Sequence, residues 1–378
     1  MNKSNNMFDI IVLGSGIAGV SVAAELSKES SVCILEKENI TSYHSTGRSF
    51  AFYLESYGNE TIRKLTSSSK NFFIDNSNLD NKNSILKSRG MLHIATEEQN
   101  ENLLFNYKEL TKINKNLNIL NSKETLKLLP CLNNKYIHSS IYDQEASDID
   151  VNFLYNIYLK EFKKNKGTIE TNIKINKFLQ KKNNWEIFTE DKTFYCNLII
   201  NAAGAWCDEV AEKVNAKKID LVPKKRTVFC FKPLDLHVEN NWPLAVDVEE
   251  NFYFKIENQT VLASPADETE TVPHDAQPEE IDIAIGADRI KKATNFNFNS
   301  IINKWAGLRN FVKDKSPVIG YDPQIENFFW ISGQGGYGIQ TSPALAKIAS
   351  NLILNKSNEL YEQKYKIDLA SLNIKRLI

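Results

Sequence analysis

FDIIVLGSGIAG, residues Phe8 to Gly19, is the stretch on which the fold turns. Phe8–Leu13 is a short apolar run of strand type, and Ile17–Lys28 places Ile17, Val20 and Ala24 at helical spacing. Ser31–Glu36 is a second run with the character of a buried strand, so the chain opens on a β-α-β unit. Between the first strand and the helix, Gly14-Ser15-Gly16-Ile17-Ala18-Gly19 fits the pattern G-x-G-x-x-G. Gly14 permits a tight turn, Gly16 lets backbone N–H groups approach a pyrophosphate, and Gly19 packs the helix against the sheet. The helix N-terminus adds partial positive charge. Glu36, followed by Lys37, ends the second strand, where a carboxylate accepts hydrogen bonds from a ribose diol and disfavours a 2′-phosphate. A glycine turn without a ligand is the bland alternative, and the agreement of strand, helix, acid and spacing stands against it. The loop therefore predicts a dinucleotide other than NADP, and leaves NAD and FAD open.

The bulk properties narrow the rest. A chain of 378 residues buries a large core and favours two domains. Apolar residues make up 42% and charged residues 25%, and the net charge of −1 points to neither nucleic acid nor an anionic membrane as a partner. Lys- and Asn-rich tracts such as Lys163–Asn184 read as solvated faces. The five cysteines are scattered without a C-x-x-C pair, which fits a reducing compartment and neither a disulfide frame nor a metal site. No run approaches the roughly 18 apolar residues of a membrane span. The expected location is the cytoplasm.

Helical spacing recurs at Asn59–Phe73, Glu97–Ile113 and Val151–Lys163, with Asp148 or Asp150 as N-cap of the last. After Gly167 the chain alternates, in TIETNIKI, WEIFTED and TFYCNLIINAAG, and again over Thr227–Phe231, Asn251–Ile256 and Thr260–Ala263, as in an antiparallel sheet. Phe328–Ser332 is a buried strand, GQGGYG a glycine turn, and Pro343–Leu354 a helix. Such a turn presents backbone donors and a second helix N-terminus to an electron-rich group. One dinucleotide needs a single pyrophosphate loop, whereas a flavin ring gains from a second set of donors. A turn that merely closes the fold is the alternative.

YHSTGRS (Tyr43–Ser49), LIINAAGAWCDE (Leu198–Glu209), WAGLRNF with SPVIGYDP (Trp305–Pro323) and GQGGYGIQTSP resemble the D-amino-acid-oxidase-like flavoprotein superfamily, from about Phe8 to Leu354. The closest branch is that of the D-amino-acid dehydrogenases, D-arginine dehydrogenase among them. The resemblance implies FAD and an α/β fold: a Rossmann-type FAD-binding domain (1–50, 146–222 and 306–378) interleaved with an α+β substrate domain (51–145 and 223–305) on a mixed or antiparallel sheet. It places His44, Ser45, Thr46, Gly47, Arg48 and Ser49 along the flavin and pyrophosphate. Lys174 and Ile175 would meet adenine, and Ala203-Gly204 would close over the nucleotide. Gly335, Gly336, Tyr337, Gly338, Ile339, Gln340 and Thr341 would hold the flavin's pyrimidine edge. Some relatives attach flavin through a cysteine near the C-terminal motif; none follows Cys230 here, so FAD is expected to be non-covalent.

The implied reaction is hydride transfer from an amino acid's Cα to flavin N5, followed by hydrolysis of the imino acid. By resemblance Arg309 is a bidentate carboxylate clamp, Tyr253 and Arg226 further carboxylate contacts, Tyr57 a mobile lid tyrosine, and Gln340 and the Gly336 carbonyl neighbours of substrate and flavin. Where the arginine-specific pattern has a glutamate this chain has Gly90, which is expected to leave space in the pocket; Phe52 and Leu54 replace a histidine and a threonine, and Leu244 and Val246 stay apolar. Neutral or apolar D-amino acids are therefore expected over cationic ones. His93, His138, His237 and His274 match no motif. A secondary-amine oxidase and a flavoprotein subunit of an electron-transfer complex are the rivals. The electron acceptor, O2 or a quinone-like molecule, is left open.

Overall fold

The computed structural model describes residues 6–77, 84–112, 114–182 and 184–378. The opening unit forms as read: β1 is Met7–Leu13, α1 is Ile17–Leu26 and β2 is Val32–Leu35. β1 pairs in parallel with β2 on one side and with Thr193–Asn201 on the other. Thr168–Glu170 extends the sheet beyond β2, also in parallel. The long strand Thr193–Asn201 divides its outer edge. Its first half pairs with Asn184–Thr189 and its last residues with Phe328–Ser332.

This pairing corrects the expectation that the alternating segments after Gly167 form one antiparallel sheet. Of the first three segments, Ile175–Lys181 and Asn184–Thr189 make an antiparallel extension of this sheet, while the segments from Thr227 onward pair antiparallel in a second one. The physical reason lies in Leu198–Asn201, which is buried on both faces as a central parallel strand must be. Helix α1 is buried almost all round, since it packs on the sheet beneath Gly338–Ile353 and Val151–Lys164. Asp150, one of the two candidate caps, accepts the Phe153 N–H at 2.8 Å. The C-terminal helix starts at Gly338, five residues before the expected Pro343. Proline is tolerated there because the Ile339 carbonyl it leaves free accepts the Ser342 hydroxyl at 3.0 Å.

A second sheet runs in the order Asn303–Phe311, Val222–Phe231, Thr260–Ser264, Tyr253–Glu257, Leu244–Asp247, Met91–Ala95, Ser139–Asp143, Asn118–Asn121. All its pairs are antiparallel except Leu244–Asp247 with Met91–Ala95. The boundary expected between residues 305 and 306 falls inside Asn303–Phe311, which pairs along its length with Val222–Phe231. Alternation gives this sheet two faces. Phe229, Phe231, Phe254, Leu92 and Ile94 pack with Ile283 and Ile290 of the helix Glu280–Ala293 into one core. Arg226, Val228, Tyr253, Val246, Met91 and His93 point the other way, into a cavity shared with the first sheet. No helix among the described residues is long and apolar enough to cross a membrane.

Candidate active site

The cavity has a volume of about 660 Å³ and runs from the glycine loop to the second sheet. At the loop end, Gly14, Gly16, Ile17, Ala18, Glu36 and Lys37 line it. Ser15 and Gly19 do not, and both serve the loop from behind. A Cβ on Gly19 would lie 1.9 Å from the Gly14 carbonyl oxygen, so no larger residue allows the helix this close to the turn. Glu36 splints the loop: its Oε2 accepts the Ser15 N–H at 2.8 Å and the Ser15 hydroxyl at 2.5 Å, and its Oε1 accepts the Glu38 N–H at 2.9 Å. The Ser15 carbonyl accepts the Tyr155 hydroxyl at 2.6 Å. Gly16, the N-cap, offers no side chain to the first turn of α1.

The segment after β2 lines the same end through His44, Ser45, Thr46, Arg48 and Ser49, with Lys174, Ile175, Ala203 and Gly204 opposite. Its side chains are committed to the protein. Thr46 Oγ1 accepts the Ile17 N–H at 2.9 Å, and Ser45 donates to the Leu308 carbonyl at 2.7 Å. His44 contacts Glu38 at 2.9 Å and its ring lies 4.6 Å from that of Trp206, over which Lys37 also sits. Arg48 donates to the carbonyls of Ala276 and Ala306 and pairs with Asp275 at 2.5 Å. The Ser49 hydroxyl accepts the Ala51 N–H at 3.2 Å. Gly47 lies behind the surface, close to the Ser42 carbonyl.

The far end has the opposite character. Arg309 reaches into the cavity from Asn303–Phe311 and donates to the Tyr57 hydroxyl at 3.5 Å. No carboxylate among the described residues pairs with it, although a guanidinium is charged at every working pH. Gly336 makes this placement possible, since a Cβ there would lie 3.0 Å from Arg309 Cζ. The Gly335 N–H donates to the Asn310 carbonyl at 2.8 Å and ties the glycine turn to the arginine's strand. Tyr253 lines the cavity with its ring edge-on to Phe50 and its hydroxyl buried without a partner. Gln340 accepts the Leu54 N–H at 3.1 Å while its Nε2 is buried and unpartnered. Arg226 differs: Glu268 holds it at 2.9 Å, while its buried Nε has no partner. Burial pushes the Tyr57 phenol up, against the opposing pull of the Arg309 charge.

Gly335, Gly338 and Ile339 line the cavity, whereas Tyr337 and Thr341 do not. Tyr337 packs on Tyr57, and Thr341 turns its hydroxyl to the Tyr337 carbonyl. Phe52, Leu54, Leu244 and Val246 line the cavity as expected of the pocket wall. The space expected beside Gly90 does not exist. Gly90 has φ +77 and a Cβ there would strike the Tyr142 ring at 2.8 Å. Among the lining residues that went unread in the sequence are His93 and Glu250. His93 alternates with Met91 along its strand, a pattern that signals a shared face, and Glu250 stands in the turn before Tyr253.

A family model described as FAD dependent oxidoreductase matches residues 9–352. The chain is 30% identical over 191 residues to FAD-dependent oxidoreductase domain-containing protein 1 of Xenopus laevis, a match covering 44% of this chain and 36% of that protein. Its fold is similar to that of glycine oxidase from Geobacillus kaustophilus, with a TM-score of 0.83 and 16% identity over 99% of this chain and 100% of that one. It is also similar to that of L-alpha-glycerophosphate oxidase from Mycoplasma pneumoniae with FAD bound, with a TM-score of 0.82 and 19% identity over 93% and 95% of the two chains.

Proposed function

This chain belongs to the FAD dependent oxidoreductase family, and we propose that it deaminates amino acids oxidatively, taking those of the D series with neutral or apolar side chains. The residues suit the cofactor. The first turn of α1, which has no side-chain cap from Gly16, the glycine loop splinted by Glu36 and the glycine turn before Gly338 would hold FAD along the first sheet. The five cysteines are free and buried, and none of them lines the cavity, which supports a dissociable cofactor. The second sheet supplies the substrate end.

Arg309 carries the proposal. A buried guanidinium without a carboxylate calls for an anion, and its fork fits a carboxylate bidentately. The Tyr57 and Tyr253 hydroxyls stand beside it as further donors. FAD, when bound, supplies the two-electron acceptor for the hydride leaving Cα. The chain's part is to fix the carboxylate at Arg309 and to present the substrate amine to the Gly336 carbonyl as acceptor. The amine must be neutral when the hydride leaves. The imino acid then takes up water and releases ammonia and a 2-oxo acid. Leu54, Leu244 and Val246 are apolar and offer a cationic side chain no counter-ion. Glu250 is exposed, so solvent screens any pairing it makes with a cationic one.

The test is an anaerobic screen of D-, L- and N-methyl amino acids followed by absorbance of the bound flavin, then an air pulse. Neutral D-amino acids are expected to bleach the flavin. Bleaching by glycine and N-methylglycine alone would make the protein a secondary-amine oxidase. No bleaching by any amino acid would remove deamination and leave the electron-transfer role. The air pulse tells whether O2 serves as acceptor.

A further inference from the structure

We infer that His93 reads the substrate side chain through a hydrogen bond, so that neutral side chains bearing an amide or hydroxyl are taken in preference to hydrocarbons of the same length. This rests on the proposed amino-acid substrate and narrows its class. His93 is the middle residue of Met91–Ala95, whose alternate residues Leu92 and Ile94 enter the core behind the sheet. His93 and Met91 therefore face the cavity together. In the sheet register His93 stands opposite Val246, and Val246 opposite Tyr253. His93 and Tyr253 thus lie in one row, two strands apart, or about 10 Å between their backbones. With the carboxylate held at Arg309 and Tyr253, a side chain of about three or four heavy atoms spans that row toward His93.

The imidazole is the polar side chain of its own strand pair on this face. Met91 on its own strand and Leu244 and Val246 on the paired strand offer no hydrogen-bonding side chain. Among the described residues His93 has no hydrogen-bond partner and no ion pair. Burial alone lowers its pKa to about 4, so it stands neutral, with one N–H donor and one acceptor nitrogen. A site built with a buried polar group discriminates against ligands that leave that group unpaired, more sharply than an apolar wall discriminates by size. Histidine as a mere filler of the wall is the competing account, and it predicts no such discrimination.

The experiment compares D-glutamine with D-norleucine, which are similar in length, by kcat/KM on the FAD-loaded wild type, His93→Leu and His93→Gln. The wild type should prefer D-glutamine by roughly tenfold or more, as for a hydrogen bond in a dry site. His93→Leu should erase or invert that ratio, and His93→Gln, which keeps a donor and an acceptor, should retain it. A wild type that favours D-norleucine, or a ratio that His93→Leu leaves unchanged, would overturn the role of His93. A second readout needs no turnover. Titration of the bound-flavin spectrum with two dead-end carboxylates, glutaramate and hexanoate, gives the same ratio as dissociation constants. If no amino acid reduces the flavin yet these constants invert in His93→Leu, His93 reads the ligand and the deamination proposal alone fails. If deamination occurs and neither ratio moves, the inference alone fails.

Discussion

The two ends of the cavity are built on opposite plans. At the loop end the polar side chains that frame the glycine loop are already satisfied by the protein: Glu36 by Ser15 and Glu38, Thr46 by Ile17, Arg48 by Asp275 and two carbonyls. What remains for a ligand there is backbone and the open turn of a helix. At the far end Arg309 has no carboxylate, and the Tyr253 hydroxyl and Gln340 Nε2 are buried without partners. Unpaired buried groups cost stability, and proteins keep them where a ligand completes them. On the proposed function, the first plan would hold a resident group by shape, and the second would recognise a transient one by unmet polar demand. Substitutions at the two ends should therefore separate cofactor retention from catalysis.

The largest separation is expected from Arg309→Met, which keeps bulk and removes the charge. A charge-assisted hydrogen bond is worth about 1.5–3 kcal/mol, so kcat/KM should fall roughly 10- to 150-fold at about 1.4 kcal/mol per decade. FAD content, read from the absorbance of the purified protein, should stay at the wild-type level. Kinetics unchanged by this substitution would take Arg309 out of the site. The next effect in size is substrate choice. A guanidinium or ammonium brought against Leu54, Leu244 and Val246 is partly desolvated, and the nearest acid on the cavity wall, Glu250, is exposed. Neutral D-amino acids should exceed D-arginine in kcat/KM by about tenfold or more. A tenfold preference for D-arginine would show Glu250 acting as a true counter-ion.

Glu36→Gln attacks the other plan. The amide oxygen can still accept one hydrogen bond from Ser15, but the charge that holds both the Ser15 N–H and hydroxyl is gone. A loss of about 1 kcal/mol predicts a several-fold rise in the dissociation constant for FAD, measured by flavin fluorescence on apoprotein. At saturating FAD, kcat/KM should be unchanged. A fall in kcat/KM with normal FAD affinity would mean that the two ends are not independent.

How much of this could be read from the chain alone follows from the range of the interactions involved. The β-α-β unit was legible because its geometry is local, compressed into Phe8–Glu36. That Arg309, Tyr253 and Gln340 line one cavity follows from motif resemblance and from nothing in their own spacing. The parallel pairing of Thr193–Asn201 was hidden, since a strand whose first half alternates and whose second half is buried on both faces sends two conflicting signals. Gly90 misled because a glycine suggests room, while the neighbouring strand's Tyr142 fills it. His93 belongs to no motif and acquires meaning only when the sheet register sets it beside Val246.

The smallest effect expected is on pH dependence, and it tests whether the far end contributes a base. The substrate amine must be neutral when Cα gives up its hydride. The rate of flavin reduction should therefore rise with pH and level off as the bound amine loses its proton. Tyr57 is the titratable side chain closest to the clamp, at 3.5 Å from Arg309. Burial raises its pKa above the ordinary phenol range even though the arginine opposes this, so Tyr57 stays protonated through neutral and mildly alkaline pH. A protonated phenol donates to the carboxylate and cannot take the amine's proton. Tyr57→Phe should accordingly lower kcat/KM by no more than about tenfold, the worth of one hydrogen bond. The midpoint of the pH profile should stay where it is, because the titrating group belongs to the substrate. Anaerobic stopped-flow between pH 6 and 10 on both proteins makes the comparison. A midpoint that moves or vanishes in Tyr57→Phe would make this tyrosine a general base, and the far end would then be more than a set of donors awaiting a carboxylate.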